Sequence, residues 1–73
     1  MNITELINRL KWLSDKENGI GIPLVILSRY CNCNAVSIHN YVSGKSLPTG
    51  RIAGYIEEGL NQLKEDFNKG MGL

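Results

Sequence analysis

Apolar residues recur at intervals of three and four along most of this chain, and no stretch alternates apolar with polar residues as a strand does. One such stripe near the start consists of Ile3, Leu6, Ile7, Leu10 and Leu13. This spacing places side chains on one face of an α-helix, whereas a half-buried strand needs a period of two. The sequence therefore predicts an all-α fold.

A length of 73 residues restricts the chain to one small domain over residues 1–73. A chain of this size buries only about 60% of the surface that its unfolded form exposes, so it cannot support two hydrophobic cores. No apolar run approaches the roughly 20 residues of a membrane span. There is also no basic leader followed by a small-residue cleavage site, so we expect a cytoplasmic protein.

Capping and turn residues predict where the first helix begins and ends. Asn2, with Glu5 three residues later, resembles a capping box. The turn dipeptide Asn18-Gly19 then interrupts the apolar spacing. We predict a first helix that starts after Asn2 and ends near Lys16.

In the next segment, capping and turn residues predict where two short helices begin and end. Pro23 suits the first turn of a second helix, where its missing N–H has no partner to lose. Asn32 is one of the few residue types that enter the left-handed conformation readily, and we predict that it makes the turn after this helix. We expect Asn34 to cap a third helix through the N–H of Val36 or Ser37, with Gly44 just beyond its end.

A long apolar stripe follows Thr49, which we predict to be the N-cap of a last helix over about residues 49–69. Gly54 and Gly59 weaken this helix relative to alanine, and close packing is the interpretation we give to both. The stripe repeats at intervals of four and three and consists of Ile52, Ile56, Leu60, Leu63 and Phe67.

The two cysteines, Cys31 and Cys33, predict small apolar side chains in a reducing compartment. They are too close for an easy disulfide, and with the single histidine, His39, they supply fewer than the four ligands of a structural zinc site. We expect no metal and no cofactor.

The charges are distributed unevenly, although the net charge is only +1. Residues 18–56 contain no Asp or Glu but include Arg29, Lys45 and Arg51, whereas the flanking segments carry five basic and seven acidic residues. A positive centre between mildly negative ends favours binding of a polyanion on one face.

Two short helices joined by a turn of three or four residues, with a polar cap on the second, make a helix-turn-helix, whose second helix enters the DNA major groove. The run IGIPLVILSRYCNCNAVSIHNYVSGKSLPT, residues 20–49, resembles the DNA-binding core of the lambda-repressor-like family, the Cro and cI type of phage and bacterial regulators. The most specific part is the spacing Ser-Ile-x-x-Tyr-x-x-Gly-Lys from Ser37 to Lys45. The resemblance implies a compact domain of four or five helices with a helix-turn-helix core at about 23–44 and a long C-terminal helix.

The resemblance also implies roles for individual residues. The recognition helix would be 34–43, and the buried residues that fix its angle to the preceding helix would be Leu27, Cys31, Ile38 and Tyr41. The residues expected to read base edges are Ala35, Val36, Ser37, His39 and Asn40. The residues expected to contact phosphates are Arg29, Asn34, Ser43, Lys45, Ser46 and Arg51.

The predicted recognition helix carries no Arg or Lys, so a monomer should bind DNA weakly and we expect a homodimer on two half-sites. One interpretation places the dimer contact on the last helix, at Leu60, Leu63 and Phe67. The other packs the same stripe onto the first helix, against Leu6, Leu10 and Leu13. Trp12 suits either position.

The sequence thus predicts a sequence-specific, repressor-like regulator that binds double-stranded DNA in the cytoplasm of a bacterium or a phage-infected host cell. An enzyme is not expected, because there is no glycine-rich phosphate loop and no nucleophile with a base. The alternative is a protein-binding module on the same scaffold, such as a phage-encoded inhibitor of a host defence protein or an antirepressor. Leu24 and Ile26 motivate it, because both are apolar where the family usually has polar residues. We expect them to form an exposed apolar patch, which usually marks a protein interface.

Overall fold

Four α-helices form the part of the protein that the computed structural model describes, residues 2–70. They are α1 (Ile3–Ser14), α2 (Leu24–Tyr30), α3 (Ala35–Val42) and α4 (Gly50–Gly70), and these residues contain no strand. The all-α prediction is confirmed. Within the same residues, no helix combines the length and the apolar character needed to cross a membrane.

The first helix begins as predicted but ends slightly earlier. The Asn2 side-chain oxygen accepts a hydrogen bond from the Glu5 N–H at 2.8 Å, as an N-cap does. At the other end Asp15 leaves the helical conformation with ψ of 119°. Its carboxylate accepts hydrogen bonds from the N–H groups of Glu17 and Asn18 at 2.8 and 3.1 Å. This local turn stops α1 at Ser14 rather than near Lys16, because it satisfies backbone donors outside the helix.

The second and fourth helices begin one residue after Pro23 and Thr49, respectively. Pro23 has ψ of 142° and precedes α2 instead of lying within its first turn, and its carbonyl accepts hydrogen bonds from Ile26 and Leu27. The Thr49 carbonyl accepts a hydrogen bond from the Ala53 N–H at 2.6 Å. Both residues therefore contribute their carbonyl groups to the first turn of the following helix.

One apolar core joins all four helices. The residues that the resemblance placed between the second and third helices are all buried, and Ile56 on α4 is fully buried beside them. The buried apolar residues of the core are Leu6, Leu10, Leu27, Cys31, Ile38, Tyr41, Ile56, Leu60 and Leu63.

Leu60 and Leu63, which one interpretation assigned to a dimer contact, are buried within the monomer. Only 3% and 8% of these side chains are exposed, because α4 packs on α1 and α2 and their surface is used within the monomer. Phe67, one turn further along, is 42% exposed. Of the three candidate dimer residues, only Phe67 retains surface for a contact with another molecule.

Gly54 and Gly59, both within α4, have different environments. A Cβ at Gly59 would overlap the Tyr30 carbonyl and lie 2.8 Å from Cys31 Cα, so this glycine lets α4 cross the end of α2 closely. A Cβ at Gly54 would meet nothing within 4 Å. Close packing therefore explains Gly59, whereas for Gly54 that interpretation is wrong.

Candidate nucleic-acid interface

The turn between α2 and α3 spans residues 31–34 and depends on the conformation of Asn32. Asn32 has φ of 52°, and no other non-glycine residue among 2–70 has positive φ. After this left-handed step the Cys33 N–H donates a hydrogen bond to the Ser28 carbonyl at 3.2 Å. The prediction that Asn32 makes the turn is confirmed.

Asn34 caps α3 in the predicted manner. Its side-chain oxygen accepts a hydrogen bond from the Ser37 N–H at 2.8 Å, and its carbonyl accepts one from the Ile38 N–H at 3.2 Å. The cap uses the acceptor end of the amide, so the NH₂ end is the part of the exposed Asn34 side chain that can donate to a phosphate.

The outward side of α3 carries the residues that the sequence assigned to base reading. Val36 is 69% exposed and His39 is also exposed, while Ile38 and Tyr41 point into the core. The remaining candidates, Ala35, Ser37 and Asn40, are half-buried. Val36 and His39 therefore project furthest from the protein, and the other three lie at the margins of the same surface.

The end of α3 is closed by a Schellman motif around Gly44, which has φ of 82°. The Gly44 N–H donates to the Tyr41 carbonyl at 3.3 Å, and the Lys45 N–H donates to the Asn40 carbonyl at 2.9 Å. The Ser46 N–H reaches the same Asn40 carbonyl at 3.3 Å. These bonds fold the segment after α3 back against the helix end, and they fix the position from which Lys45 and Ser46 project.

The cationic and hydroxyl candidates for phosphate contact are all at the surface. Arg29 lies in the last turn of α2, and Arg51 lies in the first turn of α4. Their side chains are exposed, as are those of Ser43, Lys45 and Ser46. Each is available to a polyanion in solution.

An acidic residue approaches this region in space although none is near in sequence. The Tyr30 hydroxyl donates a hydrogen bond to Asp66 at 2.7 Å, and Tyr30 directly follows Arg29. The hydrogen bonds from Tyr30 and then from Gln62 lower the pKa of Asp66, so this carboxylate is charged at neutral pH. The positive segment 18–56 therefore has a negative neighbour at the end of α2.

The cysteines behave as apolar side chains, as predicted. Both are free; Cys31 is fully buried and Cys33 is half-buried. Burial raises the pKa of Cys31 to about 12, and it also raises the pKa of Cys33. Within the described part of the chain, no group of three or more His, Cys, Asp or Glu side chains could hold a metal ion.

The apolar surface of α2 differs from the expected one. Leu24 is half-buried and packs against the core, so it is not part of an exposed pair with Ile26. Val25 is 52% exposed, and Ile26 is exposed beside it. The exposed apolar pair on α2 is therefore Val25 and Ile26.

Sequence reasoning also missed Leu47, a large apolar side chain that is exposed in the segment after α3. A signal was present, since Leu47 lies between Lys45 and Pro48, outside every apolar stripe. An apolar residue outside every helical stripe is not predicted to be buried. Leu47 lies next to Lys45 and Ser46, which are candidate phosphate contacts.

Comparisons of the chain with protein-family models, with curated proteins and with solved structures found no match.

Proposed function

We propose that the protein is a sequence-specific regulator that binds double-stranded DNA, with a lambda-repressor-like fold and α3 as its recognition helix. The observation that carries this proposal is the α2–turn–α3 unit. Asn32 and Asn34 set a tight turn and a capped helix, Ile38 and Tyr41 anchor that helix, and Val36 is left exposed on it. A short helix held in this way is suited to enter a major groove.

The chemistry of the exposed side suits contacts with base edges. The Val36 methyl groups can pack on the C5-methyl group of thymine, and the Asn40 amide can make two hydrogen bonds to adenine. We therefore propose half-sites that contain A·T pairs. Ala35, Ser37 and His39 complete the proposed reading surface.

Phosphate contacts would fix the position of the protein on the duplex. Asn34 and Ser43 lie at the two ends of α3, and Lys45 and Ser46 follow its Schellman motif. Arg29 and Arg51 add two exposed cations from the neighbouring helices. Such contacts determine register and affinity but not sequence.

A single subunit offers few cations, because α3 has none and the proposed surface has only Arg29, Lys45 and Arg51. Each neutralised phosphate contributes to affinity through counterion release, so a monomer should bind weakly at physiological salt. We propose that two copies occupy two half-sites, so that the cations of both subunits contribute to affinity.

The test is selection of bound fragments from random duplex DNA at two salt concentrations, with the purified protein. We expect one enriched sequence with two-fold symmetry and affinity that falls steeply as salt rises. Lys45→Ala should reduce the salt dependence, whereas Lys11→Ala, a matched exposed lysine on α1, should leave it unchanged. Absence of any enriched sequence would contradict the proposal.

The second candidate is a protein-binding inhibitor or antirepressor, and the exposed pair Val25 and Ile26 favours it. Adjacent exposed apolar side chains are typical of protein interfaces. An apolar contact of this kind should be nearly insensitive to salt, so the same salt series distinguishes the two functions.

A further inference from the structure

A concave surface lies between α1, the segment that follows it and the C-terminal half of α4. This open groove has a volume of about 490 Å³, which is within the range of small-molecule sites. Its floor includes Leu60 and Leu63 of the core, and its walls are the large apolar side chains Trp12, Ile20 and Phe67. Trp12 is 54% exposed. We call this surface the α1/α4 groove.

The α1/α4 groove is held in shape by backbone contacts. The Ile20 N–H donates a hydrogen bond to the Trp12 carbonyl at 3.1 Å, and the Ile22 N–H donates one to the Leu13 carbonyl at 2.7 Å. A Cβ at Gly19 would overlap the Trp12 carbonyl, so a glycine is needed for the chain to pass there. The wall formed by Ile20 is therefore fixed against α1 before any ligand arrives.

This groove is separate from the candidate nucleic-acid interface. Every described residue that lines it belongs to 8–22 or 60–68, and none of the proposed DNA-contacting residues lies in those ranges. An occupant of the groove would leave the outward side of α3 uncovered. The inference therefore does not depend on the proposed function.

The polar residues at the groove are all able to donate hydrogen bonds. They are Asn8 and Arg9 on α1 and Lys64 and Asn68 on α4, and none of the described lining residues is acidic. Ammonium and amide groups match a carboxylate, which only accepts hydrogen bonds when ionised. An apolar floor with Lys64 at its rim thus fits a molecule that has an apolar body and one anionic end.

The same charges disfavour a second copy of this chain in the groove. In a two-fold contact the same patch faces itself, so Lys64 of one copy would lie near Lys64 of the other. Like charges across an apolar interface are destabilising. Charge complementarity therefore selects an anionic occupant.

We propose that the α1/α4 groove binds a free amphiphilic carboxylate, a small molecule with an aliphatic or aromatic body whose carboxylate is bound by Lys64. The body lies on Leu60 and Leu63 between Trp12 and Phe67. Occupancy changes the surroundings of Trp12, which is the only tryptophan in the protein.

The experiment is a fluorescence titration of the full chain with dodecanoate below its micelle concentration. Dodecyltrimethylammonium, which has the same chain and the opposite charge, is the matched ligand. We expect dodecanoate to shift the Trp12 emission saturably, with one molecule bound per chain, and the ammonium compound to bind at least about tenfold more weakly. Far-ultraviolet circular dichroism should show unchanged helix content throughout the titration.

Two pairs of variants test the assignment of the residues. Lys64→Gln should weaken dodecanoate binding about tenfold, whereas Lys69→Gln, on α4 but outside the groove, should not change it. Phe67→Ala should also weaken binding, whereas Leu47→Ala, another exposed apolar residue, should have no effect.

Three results would overturn the proposal. They are equal binding of the two amphiphiles, loss of helix content as dodecanoate is added, and a Trp12 emission shift that follows protein concentration alone. The last result would assign the groove to a second copy. None of these results depends on DNA, so they are distinguishable from a failure of the proposed function.

Discussion

The Tyr30 hydroxyl donates a 2.7 Å hydrogen bond to one carboxylate oxygen of Asp66 and so joins the last residue of α2 to α4. Gln62 donates a 2.8 Å hydrogen bond to the other oxygen of the same carboxylate. Beneath this contact, Gly59 allows α4 to pass directly against the Tyr30 carbonyl. The helix that precedes the candidate recognition helix is therefore attached to α4 at two neighbouring points.

The first prediction concerns the pH dependence of this contact. The pKa of Asp66 is lowered in the folded protein, so its contribution to stability is present above the ordinary aspartate pKa and is lost as pH falls through the lowered value. Tyr30→Phe should reduce the stability at neutral pH and make the loss of stability toward about pH 3 shallower. Urea unfolding at both pH values measures the effect.

The matched control is Tyr55→Phe. Tyr55 is another partly exposed tyrosine, and it lies on α4. This substitution should leave the pH dependence unchanged. Part of the acid dependence should persist in Tyr30→Phe, because backbone N–H groups of Asn18 and then Glu17 lower the pKa of Asp15 independently. A pH profile for Tyr30→Phe identical to that of the unmodified protein would contradict the prediction.

The second prediction is that two glycine substitutions in α4 have opposite effects. Gly59→Ala should destabilise the protein by about 1–3 kcal/mol, because its methyl group would overlap backbone atoms of Tyr30 and Cys31. Gly54→Ala should stabilise it by about 0.5–1 kcal/mol, because the site is open and alanine favours the helix. Thermal unfolding measures both, and a shift of the same sign in the two variants would refute the close contact at Gly59.

The third prediction concerns the left-handed residue in the turn before α3. Asn32→Ala should cost about 1–2 kcal/mol, because a Cβ without a local hydrogen-bonding group disfavours φ of 52°. Asn32→Gly should cost much less, since glycine adopts positive φ freely. Denaturant unfolding of the two variants provides the comparison, with Asn61→Ala at an exposed site of α4 as the control.

The fourth prediction separates base reading from phosphate contact. Asn40→Ala should reduce the discrimination between the selected DNA sequence and a scrambled one, while Lys45→Ala should weaken both equally. The Schellman motif uses only backbone groups of these two residues, so neither substitution removes it. Binding isotherms on both duplexes test this, and equal, sequence-independent losses from the two variants would exclude Asn40 as a base-reading residue.

The fifth prediction is that the two thiols react at different rates. Cys31 is fully buried with a pKa of about 12, and Cys33 is half-buried with a raised pKa. The thiolate is the reactive form, so iodoacetamide should modify Cys33 first and Cys31 only after unfolding. Mass spectrometry of the native and the urea-unfolded protein distinguishes them, and equal native rates would show that Cys31 is not enclosed.

Much of the fold was predictable because its signals act over a few residues. Asn34 caps α3 with an oxygen that reaches only three residues along the chain, and Asn32 and Gly44 end helices through their own φ values. Such preferences operate before any helix meets another. The candidate reading surface follows from them, because the cap and the stripe of Ile38 and Tyr41 together determine which side of α3 faces outward.

The sequence by itself thus determined the four helices, their ends to within one or two residues, and the inward side of α3. Only the tertiary structure decided how the apolar surface is divided among the core, the groove and the solvent. Leu60 and Phe67 belong to one stripe, yet only Leu60 is enclosed; Gly54 and Gly59 share one helix, yet only Gly59 touches another. The reason is that helical periodicity determines which residues share a face, whereas the burial of each residue depends on where the neighbouring helices end.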